Sequence, residues 1–149
     1  MLENRRAFIC GLKSTKISIK ERKFLKKFKP WGIILFSRNI KSINQTKKLT
    51  NSIKKLFNDK NYPILIDEEG GRISRLKNFI DSSIFTADYF GNLFKNDRKK
   101  FYLYLTVYIK QISYLLLSLG ININSVPVLD VKRLNASKVI GDRCFSSKW

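Results

Sequence analysis

Cysteine, proline and glycine are scarce in this sequence, and their scarcity excludes several classes of protein. The two cysteines, Cys10 and Cys144, are too far apart in the chain to suggest a metal-ligand pair or a disulfide framework. With only 3 prolines and 7 glycines against 44% hydrophobic residues, the chain is not a disordered tail. A length of 149 residues suits one domain, and we expect residues 1–149 to form it.

Acidic residues are also few, since 11 Asp and Glu stand against 30 Lys and Arg and the formal net charge is +19. A positive field of this strength could attract nucleic acid or an anionic surface. The cations are mostly lysines spread along the chain, however, and no zinc-ligand spacing, RNA-binding signature or arginine-rich arm accompanies them. We interpret them as a solvated lysine coat and do not expect nucleic acid to be a partner.

Hydrophobic runs suited to a membrane are missing as well. The apolar patch Ala7–Cys10 that follows Arg5 and Arg6 is too short for the core of a signal peptide. The stretch Phe101–Leu119 approaches the length of a membrane span, but Lys110 lies in its middle, where a charge costs about 2.5–3.5 kcal/mol. Together with the free thiols, these features predict a cytoplasmic protein with no membrane partner.

Four short apolar runs have the size and continuous hydrophobicity of buried parallel strands. They are Ala7–Leu12, Gly32–Phe36, Pro63–Ile66 and Ile121–Val126. Between them, apolar residues at helical spacing predict three helices, two of which begin with a capping-box spacing. These helices run from Ser18 to Phe28, from Ser42 to Phe57, and from Asp97 to Gly120.

The long stretch Glu68–Asn96 contains the Gly70–Gly71 pair and no long periodic segment, so we expect a functional loop there. The resulting order, with strands and helices alternating, predicts an α/β fold with a parallel sheet. On this pattern alone, both a doubly wound sheet and a (β/α)8 barrel remain open. The cluster from Gly11 to Thr15 lacks the spacing of a phosphate-binding loop.

Four segments carry a specific pattern, and they follow one another in a fixed order. They are WGIILFSRN (Trp31–Asn39), LIDEEGGRISR (Leu65–Arg75), PVLDV (Pro127–Val131) and IGDRCFS (Ile140–Ser146). In this order they resemble the amino-terminal barrel domain of glycoside hydrolase family 3, most closely its bacterial β-N-acetylhexosaminidase branch. The resemblance implies the amino-terminal half of a (β/α)8 TIM-type barrel with about four parallel strands.

The same resemblance implies three substrate-binding residues, Asp67, Arg75 and Arg143. The aspartate matching Asp67 holds the non-reducing sugar in the family, and the carboxyl ends of barrel strands are where such a site belongs. The forked donors of Arg143 suit sugar oxygens or a paired carboxylate. We expect Glu68, Glu69, Arg72 and Asp130 to support the loop through hydrogen bonds and ion pairs.

The resemblance further implies retaining hydrolysis of terminal N-acetylglucosamine from cell-wall glycosides during peptidoglycan recycling. No metal or other cofactor is implied. The family branch uses a later Asp as nucleophile and a later His as acid/base, whereas this chain contains no His. We therefore assign no catalytic residue, and we expect the 149 residues alone to be inactive and to self-associate through open sheet edges.

Two alternatives stay open on the sequence alone. One is a non-catalytic domain that binds sugar or nucleic acid, and the other is a β-glucosidase-type member of the same family. Whether the chain is a truncated product, a fragment or one half of a split enzyme does not follow from the sequence.

Overall fold

The computed structural model describes residues 5–133 and 139–148, which form four β-strands and four α-helices. The strands are β1 (Arg6–Gly11), β2 (Pro30–Leu35), β3 (Ile64–Ile66) and β4 (Ile123–Asn124). The helices are α1 (Ile19–Phe28), α2 (Ile43–Leu56), α3 (Ala87–Asn96) and α4 (Arg98–Ser118). Each strand and helix that the sequence predicts is present, although β4 is shorter than expected.

The four strands form one parallel sheet in the order β1-β2-β3-β4. In its register, Cys10 lies opposite Ile33, Ile33 opposite Ile64, and Leu65 opposite Ile123. A doubly wound sheet reverses its strand order at a switch point, and no reversal occurs among these strands. The α/β class and the consecutive parallel strands of a barrel's first half are therefore confirmed.

Local side-chain caps decide where the first helices begin. The Ser18 hydroxyl accepts a hydrogen bond from the Glu21 amide at 3.2 Å, and the Glu21 carboxylate accepts one from the Ser18 amide at 2.8 Å. This is the reciprocal capping box that the spacing predicts. Ser42 caps α2 by accepting a hydrogen bond from the Gln45 amide at 3.2 Å. The Gln45 side-chain oxygen accepts from the Lys41 amide at 2.9 Å and not from Ser42, so this cap is not a reciprocal box.

The prediction of a loop over Glu68–Asn96 is wrong for its second part, because α3 occupies Ala87–Asn96. Thr86 caps this helix by accepting a hydrogen bond from the Tyr89 amide at 3.0 Å. Gly91 lies in the middle of the helix and lowers its intrinsic helix propensity. Tertiary packing of the buried Phe90 and Gly91 compensates for that loss.

The chain divides into two compact units, Met1–Asp67 with Leu115–Asn124 and Glu68–Tyr114 with Ser125–Trp149. The first unit contains the whole sheet, α1 and α2, and its core is formed by fully buried aliphatic side chains. These include Ile33, Leu35, Ile53, Ile64, Ile66 and Leu119. The second unit contains α3 and most of α4, and its buried side chains include Leu76, Phe90, Ile112 and Cys144.

The sheet has β1 at one edge and β4 at the other, within the residues that the structure describes. Each edge strand pairs with one neighbour, so the remaining backbone donors and acceptors of each strand face outward. In the same part of the chain, no helix combines the length with the apolar character that crossing a membrane requires.

Candidate functional site

Asp67 directly follows β3 at its carboxyl end. This strand is completely buried and pairs with β2 on one side and β4 on the other, which fixes the backbone that leads to Asp67. The Asp67 side chain itself is partly exposed. In parallel barrels, ligands bind at the carboxyl ends of the strands, so the residue stands where the sequence places a binding group.

Asn39 joins the backbone segments that leave β1 and β2 at this same end of the sheet. Its side chain is 0% exposed, and its amide nitrogen donates to the carbonyl oxygens of Leu12 at 3.0 Å and Ser14 at 2.8 Å. Its amide oxygen accepts from the Phe36 amide at 3.0 Å. Sequence reasoning missed this residue, because a single asparagine after a strand carries no periodic signal.

In the second unit, Glu68 organises the loop that carries Arg75. Its buried carboxylate accepts hydrogen bonds from the backbone amides of Arg75 at 2.7 Å and Leu76 at 3.1 Å. The Ser82 hydroxyl lies 3.4 Å from the other carboxylate oxygen. An ionised acceptor forms stronger hydrogen bonds than a neutral one, so Glu68 holds the Arg75 backbone in place. This agrees with the loop-supporting role predicted for Glu68.

The Gly70–Gly71 pair makes a sharp turn in the loop that follows Asp67. Gly70 has φ +81° and Gly71 φ +56°, which is the left-handed region that side chains disfavour. A Cβ on Gly70 would lie 2.2 Å from the Phe85 carbonyl oxygen and 2.6 Å from the Tyr108 hydroxyl oxygen. Only glycine fits there on both conformational and steric grounds.

Tyr108 places its hydroxyl group against this glycine turn. Burial, together with the negative charge of Glu68, raises the pKa of Tyr108 to about 12. Its ring also contacts the rings of Phe85 and Phe90 at centroid distances of 5.0 and 5.5 Å. The phenol is therefore neutral at physiological pH and forms part of an aromatic support beneath the loop.

Arg143 forms a two-pronged ion pair with Glu69. Its Nε and a terminal guanidinium nitrogen donate to the two carboxylate oxygens, each at 2.8 Å. The Arg143 side chain is 23% exposed and that of Glu69 is 11% exposed, so water screens the pair only partly. The forked donors of Arg143 thus engage a paired carboxylate, one of the two partners that their geometry suits.

A second ion pair runs beside the first. Arg72 donates from Nε to Asp142 at 2.8 Å and from a terminal nitrogen to the Ile140 carbonyl oxygen at 3.0 Å. Together the two pairs link the glycine turn to the segment that contains Arg143. Arg143 and the Arg75 loop therefore belong to one connected assembly within the second unit, whereas Asp67 belongs to the first.

Residues 5–149 match the model for the Glycosyl hydrolase family 3 N terminal domain. The chain belongs to glycoside hydrolase family 3. Among curated relatives of this family 3 chain, a β-hexosaminidase of Hydrogenovibrio crunogenus is 36% identical over 140 residues, covering 91% of this chain and 37% of the relative. A β-hexosaminidase of Alkalilimnicola ehrlichii is 33% identical over 144 residues, covering 93% of this chain and 39% of the relative.

Solved structures agree with this membership. NagZ from Neisseria gonorrhoeae in complex with zinc ion has a TM-score of 0.82 at 28% identity, with 96% of this chain and 42% of that chain covered. A family 3 β-N-acetylglucosaminidase from Paenibacillus has a TM-score of 0.69 at 26% identity, with 93% of this chain and 26% of that chain covered. The family 3 chain therefore spans well under half the length of the relatives it matches.

The charged groups of this family 3 chain do not form a metal centre in the part that the structure describes. No three His, Cys, Asp or Glu side chains come together there as metal ligands would. Its acidic side chains at the candidate site instead accept hydrogen bonds from arginine or from backbone amides. The described arrangement can position oxygen-rich ligands through charge-assisted hydrogen bonds.

We expect the Glu69–Arg143 pair to stabilise the family 3 chain more than the Arg72–Asp142 pair does. A double-mutant cycle with Glu69→Gln and Arg143→Gln should give a coupling energy of about 2 kcal/mol. Removing either partner would leave the charge of the other partly buried and without its ion pair. The matched cycle with Arg72→Gln and Asp142→Asn should give less than about 1 kcal/mol, since that pair is more exposed. Urea unfolding measures both, and equal couplings would contradict the prediction.

Proposed function

We propose that this chain provides the sugar-binding part of a β-N-acetylhexosaminidase that removes terminal N-acetylglucosamine from cell-wall-derived glycosides. The main observation that supports this proposal is that Asp67 directly follows a buried interior strand within the family 3 segment Leu65–Arg75. Support comes from the β-hexosaminidase relatives. A neighbouring NagZ structure holds N-trifluoroacetyl-D-glucosamine, with a TM-score of 0.76 and 29% identity.

Each of the three binding residues has a distinct role in this proposal. The Asp67 carboxylate accepts hydrogen bonds from hydroxyl groups of the non-reducing sugar, while Arg75 and Arg143 donate to its oxygens. Glu69 fixes the plane of the Arg143 guanidinium group, and Glu68 fixes the backbone of Arg75. Donors ordered in advance lose less conformational entropy when a sugar binds.

The hydrolytic step in this proposal uses groups outside the 149 residues. A retaining glycosidase needs a nucleophile and an acid/base group that flank the scissile bond. Asp67 and Glu69 leave the end of the same strand two residues apart, so they are unsuited to flanking a sugar. The resemblance assigns these roles to a later Asp and a later His, and the sequence contains no His.

The proposal also covers the setting of the reaction. We assign the activity to the cytoplasm and to peptidoglycan recycling, with a muropeptide or a related glycoside as substrate and no cofactor. Self-association of the isolated chain through β1 and β4 belongs to the same proposal, because a closed barrel has no sheet edges. The net charge of +19 opposes such association by repulsion.

Sugar binding and turnover can be tested separately on the purified chain. Titration of ¹⁵N-labelled protein with N-acetylglucosamine should shift backbone amides near Asp67, and Asp67→Asn should weaken binding about tenfold or more. Asp81→Asn is the matched control, since Asp81 is an exposed loop aspartate in the second unit. Glucose that binds as tightly as N-acetylglucosamine would favour the β-glucosidase-type alternative.

Turnover is tested by an assay that measures release of a chromogenic leaving group from its β-N-acetylglucosaminide. We expect the chain to release no more product than the Asp67→Ala variant does. Turnover well above that variant would show that the 149 residues contain their own catalytic groups, and the assignment to a later Asp and His would then be wrong. Absence of sugar binding by the unmodified chain would contradict the binding roles.

A further inference from the structure

An arginine lies on an aromatic ring where β1 and β2 end. The guanidinium carbon of Arg38 is 4.5 Å from the centroid of the Phe36 ring. The Nε of Arg38 donates a hydrogen bond to the Leu12 carbonyl oxygen at 2.8 Å. The contact with the ring and the hydrogen bond at Nε together hold the guanidinium group in one orientation. We name Phe36 and Arg38 the arginine platform.

The two terminal nitrogens of Arg38 remain available as donors. Within residues 5–133 and 139–148, the hydrogen bond of Arg38 is made by Nε, and no ion pair includes this side chain. The residue is exposed. A guanidinium group has five N–H donors, of which Nε carries one. The other four can therefore reach a ligand without breaking a contact within the described chain.

The pairing of the strands places the arginine platform on the same face of the sheet as Asp67. Gly11 pairs in register with Ile34, and Ile34 pairs with Leu65. Residues paired in this way point to one face, and side chains return to that face every second residue. Phe36 follows Ile34 by two residues, as Asp67 follows Leu65.

The surroundings of Gly11 give direct evidence for this face. A Cβ on Gly11 would lie 3.1 Å from Cε2 of Phe36 and 3.0 Å from a terminal nitrogen of Arg38. The backbone of Phe36 is still extended, with φ −118° and ψ 170°. The intervening residues Leu35 and Ile66 are 0% exposed and belong to the core on the opposite face. The arginine platform therefore lies on the face that is turned away from this core.

The arginine platform is also close to Asp67 along the sheet. Phe36 and Asp67 follow residues that pair in register on adjacent strands, and adjacent strands are about 4.8 Å apart. Phe36, Arg38 and Asp67 all belong to the first unit. One monosaccharide at this end of the sheet can thus contact both strand ends.

We propose that Arg38 is a further binding residue for the sugar that Asp67 holds, donating from its terminal nitrogens to hydroxyl oxygens of that sugar. This inference rests on the proposed function. The ionised Asp67 carboxylate accepts hydrogen bonds and the guanidinium group donates them, so the pair matches hydroxyl groups, which do both. Because the platform orients the guanidinium group before the sugar arrives, binding costs less conformational entropy.

A purely structural role explains Arg38 less well. The Leu12 carbonyl oxygen also accepts a hydrogen bond from the side-chain amide of Asn39 at 3.0 Å. Asn39 is 0% exposed, so this donor is shielded from water. The carbonyl group therefore keeps a partner when Arg38 is replaced, and we expect the urea midpoint of Arg38→Gln to stay close to that of the unmodified chain.

Titration of the ¹⁵N-labelled 149-residue chain with N-acetylglucosamine tests the proposal. Arg38→Gln should weaken binding about tenfold. Arg38→Lys should weaken it nearly as much, because an ammonium group keeps the charge but lacks the planar fork. Arg22→Gln is the matched control, since Arg22 is an exposed arginine of the first unit whose replacement removes the same charge. It should leave the affinity unchanged.

Gly11→Ala provides a second variant that leaves Arg38 and Asp67 in place. Gly11 lies in β1 and is not among the glycines with positive φ, so alanine fits its backbone. The added methyl group would press on the Phe36 ring and on the Arg38 terminal nitrogen. Both groups are the far ends of side chains and can move, so we expect sugar binding to weaken severalfold while the urea midpoint changes little.

The outcomes separate this inference from the proposed function. If Asp67→Asn weakens binding but Arg38→Gln, Arg38→Lys and Gly11→Ala do not, the role of Arg38 is wrong and the proposed function stands. Equal weakening by Arg22→Gln would also overturn it, because net charge alone would then explain the effect. If the unmodified chain binds no N-acetylglucosamine, both proposals fail.

Discussion

Replacing Gly91 by alanine is expected to destabilise the second unit by about 3 kcal/mol or more. In an exposed helix the same change normally stabilises by about 1 kcal/mol, so the expected sign is reversed. The reason is steric, because a Cβ on Gly91 would lie 1.8 Å from the Phe145 carbonyl oxygen and 2.7 Å from its carbonyl carbon. Both are backbone atoms, so no side-chain rotation relieves the clash.

Urea unfolding of Gly91→Ala measures the loss, with Asn92→Ala on the same helix as the control. Asn92 is exposed, and its substitution should change the free energy of unfolding by less than about 1 kcal/mol. Hydrogen exchange adds a local readout, because residues 139–148 should lose protection as the Phe145 backbone moves away from α3. If Gly91→Ala left the free energy of unfolding unchanged or increased it, α3 would not pack closely against the Phe145 backbone.

That close packing also affects the proposed sugar site. Phe145 lies two residues after Arg143, so a displaced Phe145 backbone would shift the guanidinium group that Glu69 holds. We expect Gly91→Ala to weaken N-acetylglucosamine binding in parallel with the loss of exchange protection. The effect would be one of positioning, since Gly91 has no side chain to contact a sugar.

Replacing Asn39 by alanine is expected to cost about 3 kcal/mol of the free energy of unfolding in the first unit. The substitution removes three hydrogen bonds, of which the one to Leu12 is buried and those to Ser14 and Phe36 are part-buried. A buried backbone group left without its partner costs about 1–3 kcal/mol, and a part-buried one costs less. Arg38 also donates to the Leu12 carbonyl oxygen at 2.8 Å, which keeps the total near the lower end.

Thermal and urea unfolding measure this effect, and the exposed Asn44→Ala in α2 is the matched control. Asn39→Asp separates shape from hydrogen bonding, because aspartate has nearly the same size but lacks the two donor hydrogens. It should be about as destabilising as alanine, since it places carboxylate oxygens against two carbonyl oxygens. If Asn39→Asp left the free energy of unfolding unchanged, the carbonyl groups of Leu12 and Ser14 would have to find other donors.

The strands were predictable from sequence because each is a short continuous apolar run, and a central strand of a parallel sheet is buried on both faces. The first helices were predictable because their capping residues lie three positions apart and act locally. Helix α3 was missed for the opposite reason. Its central Gly91 disfavours a helix locally, and the benefit of the glycine appears only when the Phe145 backbone lies against it.

The sequence by itself determined the family, the strand and helix order and the segment that presents Asp67, because these depend on local pattern and motif. Only the tertiary structure decided that Glu69 is the partner of Arg143 and that Asn39 is buried, since those hydrogen bonds join distant parts of the chain.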